Sequence, residues 1–266
     1  MDLLKFSKNF RSQNGEDGII EKVFNTIGEP VNKYFVEFGA WDGEFLSNTY
    51  NLMENYNWGG VYIEGDFKKS LQLKDKYKNN KEIICINSFV ESGSGESSLT
   101  RILEKAKTPK KFAVLSIDID GNDYEVWRDL NYFEPILVII EYNQTIPSSV
   151  EYVDSNGDSF MGSSCLSLYN LAKQKGYELI CCTGTNCFFI KKELFHLFGI
   201  EDNSPLKLQS TDYQCYVALN HAGELVFSND KFFQNEIKII IYKRFKKIIK
   251  HLFFGKKSFL FLGDRY

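Results

Sequence analysis

Residues 34–43 read YFVEFGAWDG, and residues 59–66 read GGVYIEGD. Each segment is a run of strand-forming residues that leads into an acid and a glycine. Glycine after a strand allows a sharp turn and lets a ligand approach the backbone. The two segments therefore predict neighbouring strands of an open sheet, with acids and glycines at the edge where such sheets bind ligands.

Short apolar runs recur along the chain, and helix-like stretches separate most of them. The runs are mostly continuous in hydrophobicity, as expected of parallel strands covered on both faces. The strand-like runs are 34–38, 60–64, 82–87, 112–118, 136–142, 177–182 and 187–191, and the helix-like stretches are 47–56, 66–77, 122–130 and 164–176. This alternation predicts right-handed crossovers and an open α/β sheet with helices on both faces.

The last two runs, YELICC at 177–182 and CFFIK at 187–191, are separated by TGTN. This spacing predicts a hairpin, so the last strand should run antiparallel to its neighbour. A mostly parallel seven-stranded sheet that ends in an antiparallel hairpin favours the class I methyltransferase variant of the Rossmann-like fold over a dehydrogenase.

The length and composition favour one domain with additions. The chain has 266 residues, of which 43% are hydrophobic, and we expect a Rossmann-like domain at 1–192 and a C-terminal extension at 193–266. A net charge of -3 gives no reason to expect a nucleic-acid partner. Because the sequence has no signal-peptide-like segment and no apolar window of about 18 residues, we expect a cytoplasmic protein.

The cysteines and histidines form no recognisable metal pattern. The three histidines are far apart, and no CxxC pair occurs among the cysteines, which are Cys85, Cys165, Cys181, Cys182, Cys187 and Cys215. The spacing signals neither a zinc site nor a disulfide framework. We expect reduced thiols, most of them buried.

The loop after the first strand has the form GxxxG, with Glu37 before it and Asp42 inside it. A dinucleotide enzyme carries GxGxxG at this place and binds a pyrophosphate on a helix N-terminus. Carboxylates would repel a pyrophosphate but suit a cationic ligand. The alternative interpretation is that Gly39 and Gly43 only make a tight turn and that the acids are exposed strand ends.

The second and third strands narrow the choice of ligand. Glu64 ends the second strand about twenty residues after Gly43, the position from which an acid accepts hydrogen bonds from ribose hydroxyls. A ligand with a ribose and a positive charge, but no phosphate, is S-adenosylmethionine (SAM). Asn87, which ends the third strand, has an amide suited to the adenine amino group.

Further acids follow the fourth and fifth strands, at the same edge of the sheet. Asp118 and Asp120 are the best candidates for a base that takes the proton of a methyl acceptor. Together with Glu141 and Asn143 they would also suit Mg²⁺, Mn²⁺ or Ca²⁺. Asp123 is more simply interpreted as a first-turn helix acid.

Other polar residues are weaker candidates. His221 lies in a turn-like context and is a further candidate base, whereas His196 lies among apolar residues and suggests a structural role. In the segment SQNGED at 12–17, Ser12 is the expected helix N-cap. Gln13, Glu16 and Asp17 then either contact the ligand or only stabilise the helix start.

The C-terminal segment is basic and amphipathic. Residues 237–266 contain nine Lys or Arg and a single Asp, and apolar residues recur at helical spacing up to about residue 260. Three contacts for 237–260 remain open: an anionic membrane surface, a second subunit in a homodimer, or the protein's own domain.

Several of these segments together resemble the FkbM-like class I SAM-dependent methyltransferases, over roughly residues 10–192. They are SQNGEDGII at 12–20, VEFGAWDG at 36–43, VYIE at 61–64, SIDIDGNDYEVW at 116–127 and VIIEYN at 138–143. The glycine loop lacks the richer GxGxG form of many class I enzymes. The resemblance implies SAM contacts by Gln13, Glu37, Gly39, Ala40, Asp42, Gly43, Glu64, Asn87, Ser88 and Asp118, and substrate contacts by Glu141, Tyr142 and Asn143.

The same resemblance implies a bacterial O-methyltransferase. Its acceptor would be an oxygen of a sugar, a capsular-polysaccharide or surface-glycan precursor, or a phosphoramidate-type group. Two alternatives remain: a nicotinamide-dependent oxidoreductase, and a non-catalytic, membrane-associated binding protein with the same fold.

Overall fold

The computed structural model describes residues 1–119, 121–154, 162–223 and 225–227. The chain divides into two compact units, Met1–Ser210 and Thr211–Tyr266. The strands of the first unit are β1 Tyr34–Phe38, β2 Gly59–Glu64, β3 Ile83–Asn87, β4 Lys111–Ile117, β5 Glu134–Glu141, β6 Tyr177–Cys182 and β7 Asn186–Lys191. Its helices are α1 Glu16–Ile27, α2 Tyr50–Tyr56, α3 Phe67–Tyr77, α4 Leu99–Lys105, α5 Asp123–Asp129, α6 Cys165–Gln174 and α7 Pro205–Leu208, with 3-10 helices at Leu3–Phe6 and Lys192–Phe198.

The seven strands form one sheet in the order β3-β2-β1-β4-β5-β7-β6. Strands β1 to β5 pair in parallel, whereas β7 runs antiparallel to both β5 and β6. The predicted hairpin is therefore confirmed. The strand order reverses between β1 and β4, and the carboxyl ends of these two strands flank the crevice where open α/β sheets bind ligands.

Both faces of the sheet are covered by helices. On one face, Val36 and Phe38 of β1 join a core with apolar residues of α4, α5 and α6. On the other face, Phe35 joins a core with apolar residues of α1, α2 and α3. Successive strand residues point to opposite faces, so a strand buried on both sides is apolar at nearly every position. The predicted fold class, a Rossmann-like class I methyltransferase sheet, is confirmed.

Local signals fix several helix ends. The Asp66 side chain accepts a hydrogen bond from the Lys69 amide and starts α3, and Ser164 does the same for α6 through Ser167. Gly176 follows α6 in the left-handed conformation that favours glycine (φ +80°), as predicted for a helix C-terminus.

Two features near helix starts differ from the sequence prediction. The N-cap of α1 is Gly15 and not Ser12, because a turn separates Ser12 from the helix. The Ser12 hydroxyl instead accepts a 3.1 Å hydrogen bond from the Asp17 amide. The short helix α4 was not predicted. It begins after Ser98, whose side chain accepts a hydrogen bond from the Arg101 amide, at the end of the serine- and glycine-rich stretch 91–98.

The described part of the second unit contains an antiparallel hairpin. Strand β8 Val217–Leu219 pairs with β9 Leu225–Phe227, with Ala218 opposite Val226. Over the described ranges of the whole chain, every helix is too short or too polar to cross a membrane. The predicted basic segment 237–260 lies outside the described residues.

Candidate functional site

A cavity of about 510 Å³ lies at the carboxyl ends of β1, β2, β3 and β4. This is the sheet edge that the acid and glycine pattern predicted. The loop after β1 forms much of its wall, and the segments after β2, β3 and β4 form the rest. The lining residues are Glu37, Gly39, Ala40, Trp41, Phe45, Leu46, Ser47, Asn48, Ile63, Glu64, Gly65, Lys69, Ser88, Phe89, Val90, Asp118, Ile119 and Asn122.

Gly39 occupies a position that no other residue could take without a shift. Its φ is +75°, and a Cβ added there would overlap the backbone carbonyl of Asp118. The ends of β1 and β4 therefore lie against each other at this point. Glycine is required here both for conformation and for the close approach of two backbone segments.

Asp42 and Gly43 anchor the outer side of the same loop. Asp42 accepts hydrogen bonds from the Glu44 and Phe45 amides and pairs with Lys76 at 3.2 Å. Burial alone raises the pKa of Asp42, but the two amides and Lys76 bring it below its ordinary value. The hydroxyl of Tyr77 donates to the Gly43 carbonyl at 3.0 Å. Neither Asp42 nor Gly43 lines the cavity, so in this structure both shape the loop.

Trp41 and Leu46 adopt the left-handed backbone conformation, with φ values of +49° and +57°. Such values are uncommon for large side chains and cluster at functional sites. The Trp41 ring packs edge-on against Phe45, and Lys69 Nζ lies 3.8 Å from the centre of the Trp41 ring. The strained loop thus presents an aromatic wall to the cavity, and Lys69 of α3 adds a cation beside it.

Glu64 ends β2 with its side chain almost fully buried. Its Oε2 accepts a 2.7 Å hydrogen bond from the Trp41 amide, and its Oε1 accepts a 2.7 Å bond from the Asp66 amide. The carboxylate is therefore held rigidly at the cavity wall. A carboxylate offers about four lone-pair positions, so each oxygen retains capacity for a ligand donor.

Glu37 lies deeper in the same wall and is used mainly by the protein itself. Its carboxylate accepts hydrogen bonds from the Ser47 hydroxyl, the Asn48 amide and the Thr49 hydroxyl. Burial raises the pKa of Glu37 above its ordinary value, and the three hydrogen bonds oppose this shift. Glu37 thus fixes the far end of the loop at the start of α2.

In the segment after β3, the residues that line the cavity differ from the predicted adenine contact, Asn87. The Asn87 side chain donates to the Glu64 and Gly65 carbonyls and does not line the cavity, so its adenine contact stays a prediction. Ser88 and Phe89 do line the cavity. The Phe89 ring is 73% exposed, which makes it available for stacking on a ligand.

The segment after β4 contributes Asp118 and Asn122 to the cavity wall. Asp123 is buried, and its carboxylate accepts from the Ile119 and Gly121 amides, which holds this loop in place as α5 begins. Asp120 lies outside the described residues, and its predicted catalytic and metal roles stay predictions.

The residues predicted for substrate binding lie at the end of β5 and directly after it, and they do not line the cavity. Glu141 is half-buried, Tyr142 is buried with its hydroxyl bonded to the Thr183 carbonyl, and Asn143 accepts from the amide and hydroxyl of Thr145. The predicted metal set includes Asp120, so the described residues leave it untested.

The N-terminal acids are buried and bonded. Glu16 accepts from the Asn14 amide and the Thr183 hydroxyl, and Asp17 accepts from three successive backbone amides at 10–12. Both therefore organise the turn before α1. Gln13 is exposed and does not line the cavity, so its cofactor contact stays a prediction.

The two histidine candidates differ in location. His196 is exposed in the 3-10 helix Lys192–Phe198, with Nδ1 2.9 Å from the Glu193 carbonyl. His221 is exposed in the turn between β8 and β9 of the second unit, and its predicted role as a base stays a prediction.

Sequence reasoning missed the apolar wall and the cation of the cavity. Trp41, Phe45, Lys69 and Phe89 were not among the candidate residues. The available signal was the occurrence of aromatic residues in the loops that directly follow β1 and β3.

No family model matches the chain, and no match was found among curated proteins. Solved structures with a similar fold include the CMeT domain of the citrinin polyketide synthase, with 8% identity and a TM-score of 0.43 over 66% of this chain and 51% of that chain. A SAM-dependent methyltransferase from Aquifex aeolicus has 11% identity and a TM-score of 0.39, over 64% of this chain and 87% of that chain. The N-terminal domain of EvdMO1 with S-adenosylhomocysteine (SAH) bound has 11% identity and a TM-score of 0.42, over 67% of this chain and 80% of that chain. This chain spans about half the length of the first of these, and the fold assignment rests on the strand order and register of its own sheet.

Proposed function

We propose that the chain is a SAM-dependent methyltransferase that binds its cofactor in the cavity at the ends of β1 to β4. The observation that carries this proposal is the Glu64 carboxylate, which is buried and fixed at the end of β2 by two backbone amides. At this place in an open α/β sheet, a carboxylate accepts hydrogen bonds from the two ribose hydroxyls.

The charges around the cavity support a cationic cofactor. Three lining residues are acids, Glu37, Glu64 and Asp118, and Lys69 is the one cation among the described lining residues. A sulfonium gains from nearby carboxylates, whereas a pyrophosphate would be repelled by them.

The loop after β1 argues against a nicotinamide cofactor. In residues 34–56, all of which the structure describes, β1 ends at Phe38 and the next helix begins only at Tyr50. A dinucleotide fold instead passes the pyrophosphate directly from the glycine loop to a helix N-terminus. The long acidic loop here has no such helix start at its beginning.

The exposed ring of Phe89 supports an adenine position beside β3. Phe89 follows β3 by two residues and faces the cavity together with Ser88 and Val90. A base stacked on an aromatic ring gains about 1–3 kcal/mol. Adenine at this position would lie next to a ribose at Glu64, since β2 and β3 pair with Glu64 opposite Asn87.

The segment after β4 supplies the acceptor side. Bound SAM supplies an activated methyl group. Asp118 and Asn122 line the cavity wall. In the proposed reaction Asp118 takes the proton of an acceptor hydroxyl, and Asn122 orients that acceptor. Asp120 is the alternative base. This arrangement supports transfer to oxygen.

For the methyl acceptor and the cellular location, the proposal relies on the FkbM-like resemblance. The acceptor is an oxygen of a sugar, a capsular or surface-glycan precursor, or a phosphoramidate-type group, and the enzyme works in the bacterial cytoplasm. Segment 237–260 serves membrane contact, pairing of two copies or packing on its own domain, in keeping with its basic, amphipathic sequence.

Transfer of a labelled methyl group tests the proposal. The purified chain is incubated with methyl-labelled SAM and fractions of a bacterial extract that contain glycan precursors. We expect label that depends on the chain, either in a methyl ether, which is stable to alkali, or in a methyl ester of a phosphoramidate-type group. SAM binding without any labelled product would instead favour the non-catalytic binding protein.

A matched pair of variants separates a catalytic effect of Asp118 from the general effect of removing an acid. Asp118→Asn should lower the transfer rate by about 10²–10⁴-fold if Asp118 is the base. Asp75→Asn, an exposed acid that pairs with Lys78, is the control and should leave the rate unchanged. An unchanged rate in Asp118→Asn would remove Asp118 from the role of base.

A further inference from the structure

Three cysteines from three consecutive elements, α6, β6 and β7, meet in the core on one face of the sheet. The sulfur atoms of Cys165, Cys182 and Cys187 form a nearly equilateral triangle with sides of 3.6, 3.7 and 3.8 Å. All three side chains are buried. Their spacing in the sequence gave no sign of this cluster, because the fold and not a CxxC motif brings them together.

Three different elements hold the triangle. Cys165 is the first residue of α6, Cys182 is the last residue of β6, and Cys187 lies in β7 directly opposite Cys182. The two strand positions are fixed by the hairpin register and the helix position by the Ser164 cap. Packing therefore holds the three sulfur atoms in place.

We propose that Cys165, Cys182 and Cys187 form a binding site for copper(I), separate from the cofactor cavity. A metal-thiolate bond of about 2.3 Å places sulfur atoms about 3.8 Å apart in tetrahedral geometry and about 4.0 Å apart in a flat triangle. The observed sides lie within about 0.4 Å of these values, so an ion can be accommodated with small shifts.

The number and kind of donors favour copper(I) over zinc. Structural zinc sites are four-coordinate. Among the described residues, no fourth Cys, His, Asp or Glu joins the group. Soft thiolates without oxygen or nitrogen donors select copper(I), which accepts three ligands.

The N-terminus of α6 assists the site electrostatically. Cys165 is the first residue of this ten-residue helix, so its sulfur lies near the positive end of the helix dipole. Thiolates carry negative charge, and this position lowers the cost of burying it. Binding releases the thiol protons to solvent and involves no change of oxidation state.

The experiment uses the full chain with Cys85 and Cys215, the two half-buried thiols, replaced by Ala. This parent is unfolded under anaerobic, reducing conditions and refolded with copper(I), then passed over a column that contains a chromophoric copper(I) chelator. Bound copper is measured by atomic absorption and by the near-ultraviolet absorption of copper-thiolate bonds. The same measurements on protein produced in copper-supplemented cells avoid the refolding step.

We expect about one copper ion per chain in the parent and about one-tenth of that or less after Cys165→Ala. Cys181→Ala is the matched control, since Cys181 is buried beside Cys182 but belongs to the core on the other face of the sheet. It should retain the copper of the parent. Thermal unfolding without metal verifies that each variant is folded.

Two results would overturn the proposal. One is equal copper in the parent and in folded Cys165→Ala. The other is displacement of copper by an equal concentration of Zn²⁺, which would show that the triangle does not prefer a monovalent soft ion.

Discussion

The backbone amide of Trp41 donates a 2.7 Å hydrogen bond to Oε2 of Glu64, and this bond joins the loop after β1 to the end of β2. One carboxylate thus shapes the cavity wall and, in the proposed function, also faces the ribose of the cofactor. The consequence is that changes at Glu64 act on loop geometry and on ligand contacts together, and controls must separate the two.

Replacing Glu64 should weaken SAH binding. Glu64→Gln keeps one acceptor oxygen but loses the charge, and a lost charged hydrogen bond costs about 1–3 kcal/mol, or roughly 5- to 150-fold in affinity. Calorimetry measures the change, with Glu96→Gln, an exposed acid away from the cavity, as the control. Equal SAH affinity in wild type and Glu64→Gln would remove Glu64 from the site.

Gly39→Ala should destabilise the fold and abolish measurable SAH binding. The added Cβ would overlap the Asp118 carbonyl, so overpacking of about 1–3 kcal/mol adds to the cost of the left-handed conformation. Gly199→Ala is the control, since Gly199 is also left-handed but has open space around it. Urea unfolding should show a clearly larger loss for Gly39→Ala; equal losses would contradict the close approach of β1 and β4.

Phe89→Ala should lower SAH affinity with little effect on stability. The ring is exposed in the free protein, so its removal leaves no core cavity, but loss of stacking on adenine costs about 1–3 kcal/mol. Phe67→Ala, which removes a similarly exposed ring that does not line the cavity, should bind SAH as wild type does. Matching affinities in the two variants would place adenine elsewhere.

Lys175 should make stability depend on pH between about 8 and 10.5. Its ammonium donates to the Arg128 and Leu130 carbonyls, and burial lowers its pKa from 10.5 to about 8. In this window the unfolded chain binds more protons than the folded chain, so wild-type stability rises with pH relative to Lys175→Met. The rise should stay below about 3 kcal/mol because solvent screens a half-buried group.

Urea unfolding at several pH values from 7 to 10 checks this difference, with Lys68→Met as an exposed control. Below pH 8 the difference between wild type and Lys175→Met should be constant. Parallel stability curves for the two proteins up to pH 10 would show that Lys175 keeps an ordinary pKa.

Most strands and the hairpin could be predicted because strands that are buried on both faces appear as continuous apolar runs, although the edge strand β3 is only partly buried. The position of the cavity followed from the acids and glycines at strand ends, since parallel strands end at one sheet edge. Side-chain direction could not be predicted in this way. Asp42 and Asn87 lie near the sheet edge that carries the cavity. Asp42 nevertheless pairs with Lys76, and the Asn87 side chain donates to backbone carbonyls.

Loop conformation and the packing of neighbouring elements explain the remaining misses. The exposed rings of Trp41 and Phe89 depend on loop conformations, including a left-handed residue, that no local pattern encodes. The thiol triangle depends on the register of β6 and β7 and on how the start of α6 packs against them, which the spacing of the cysteines does not encode.

Calorimetric titration of the full chain with SAH is the decisive measurement for the proposed cofactor. We expect saturable binding of about one SAH per chain with a micromolar dissociation constant, about -8 kcal/mol, and no comparable binding of NADH. Absence of binding by the folded chain at millimolar SAH, or binding of NADH in its place, would contradict it.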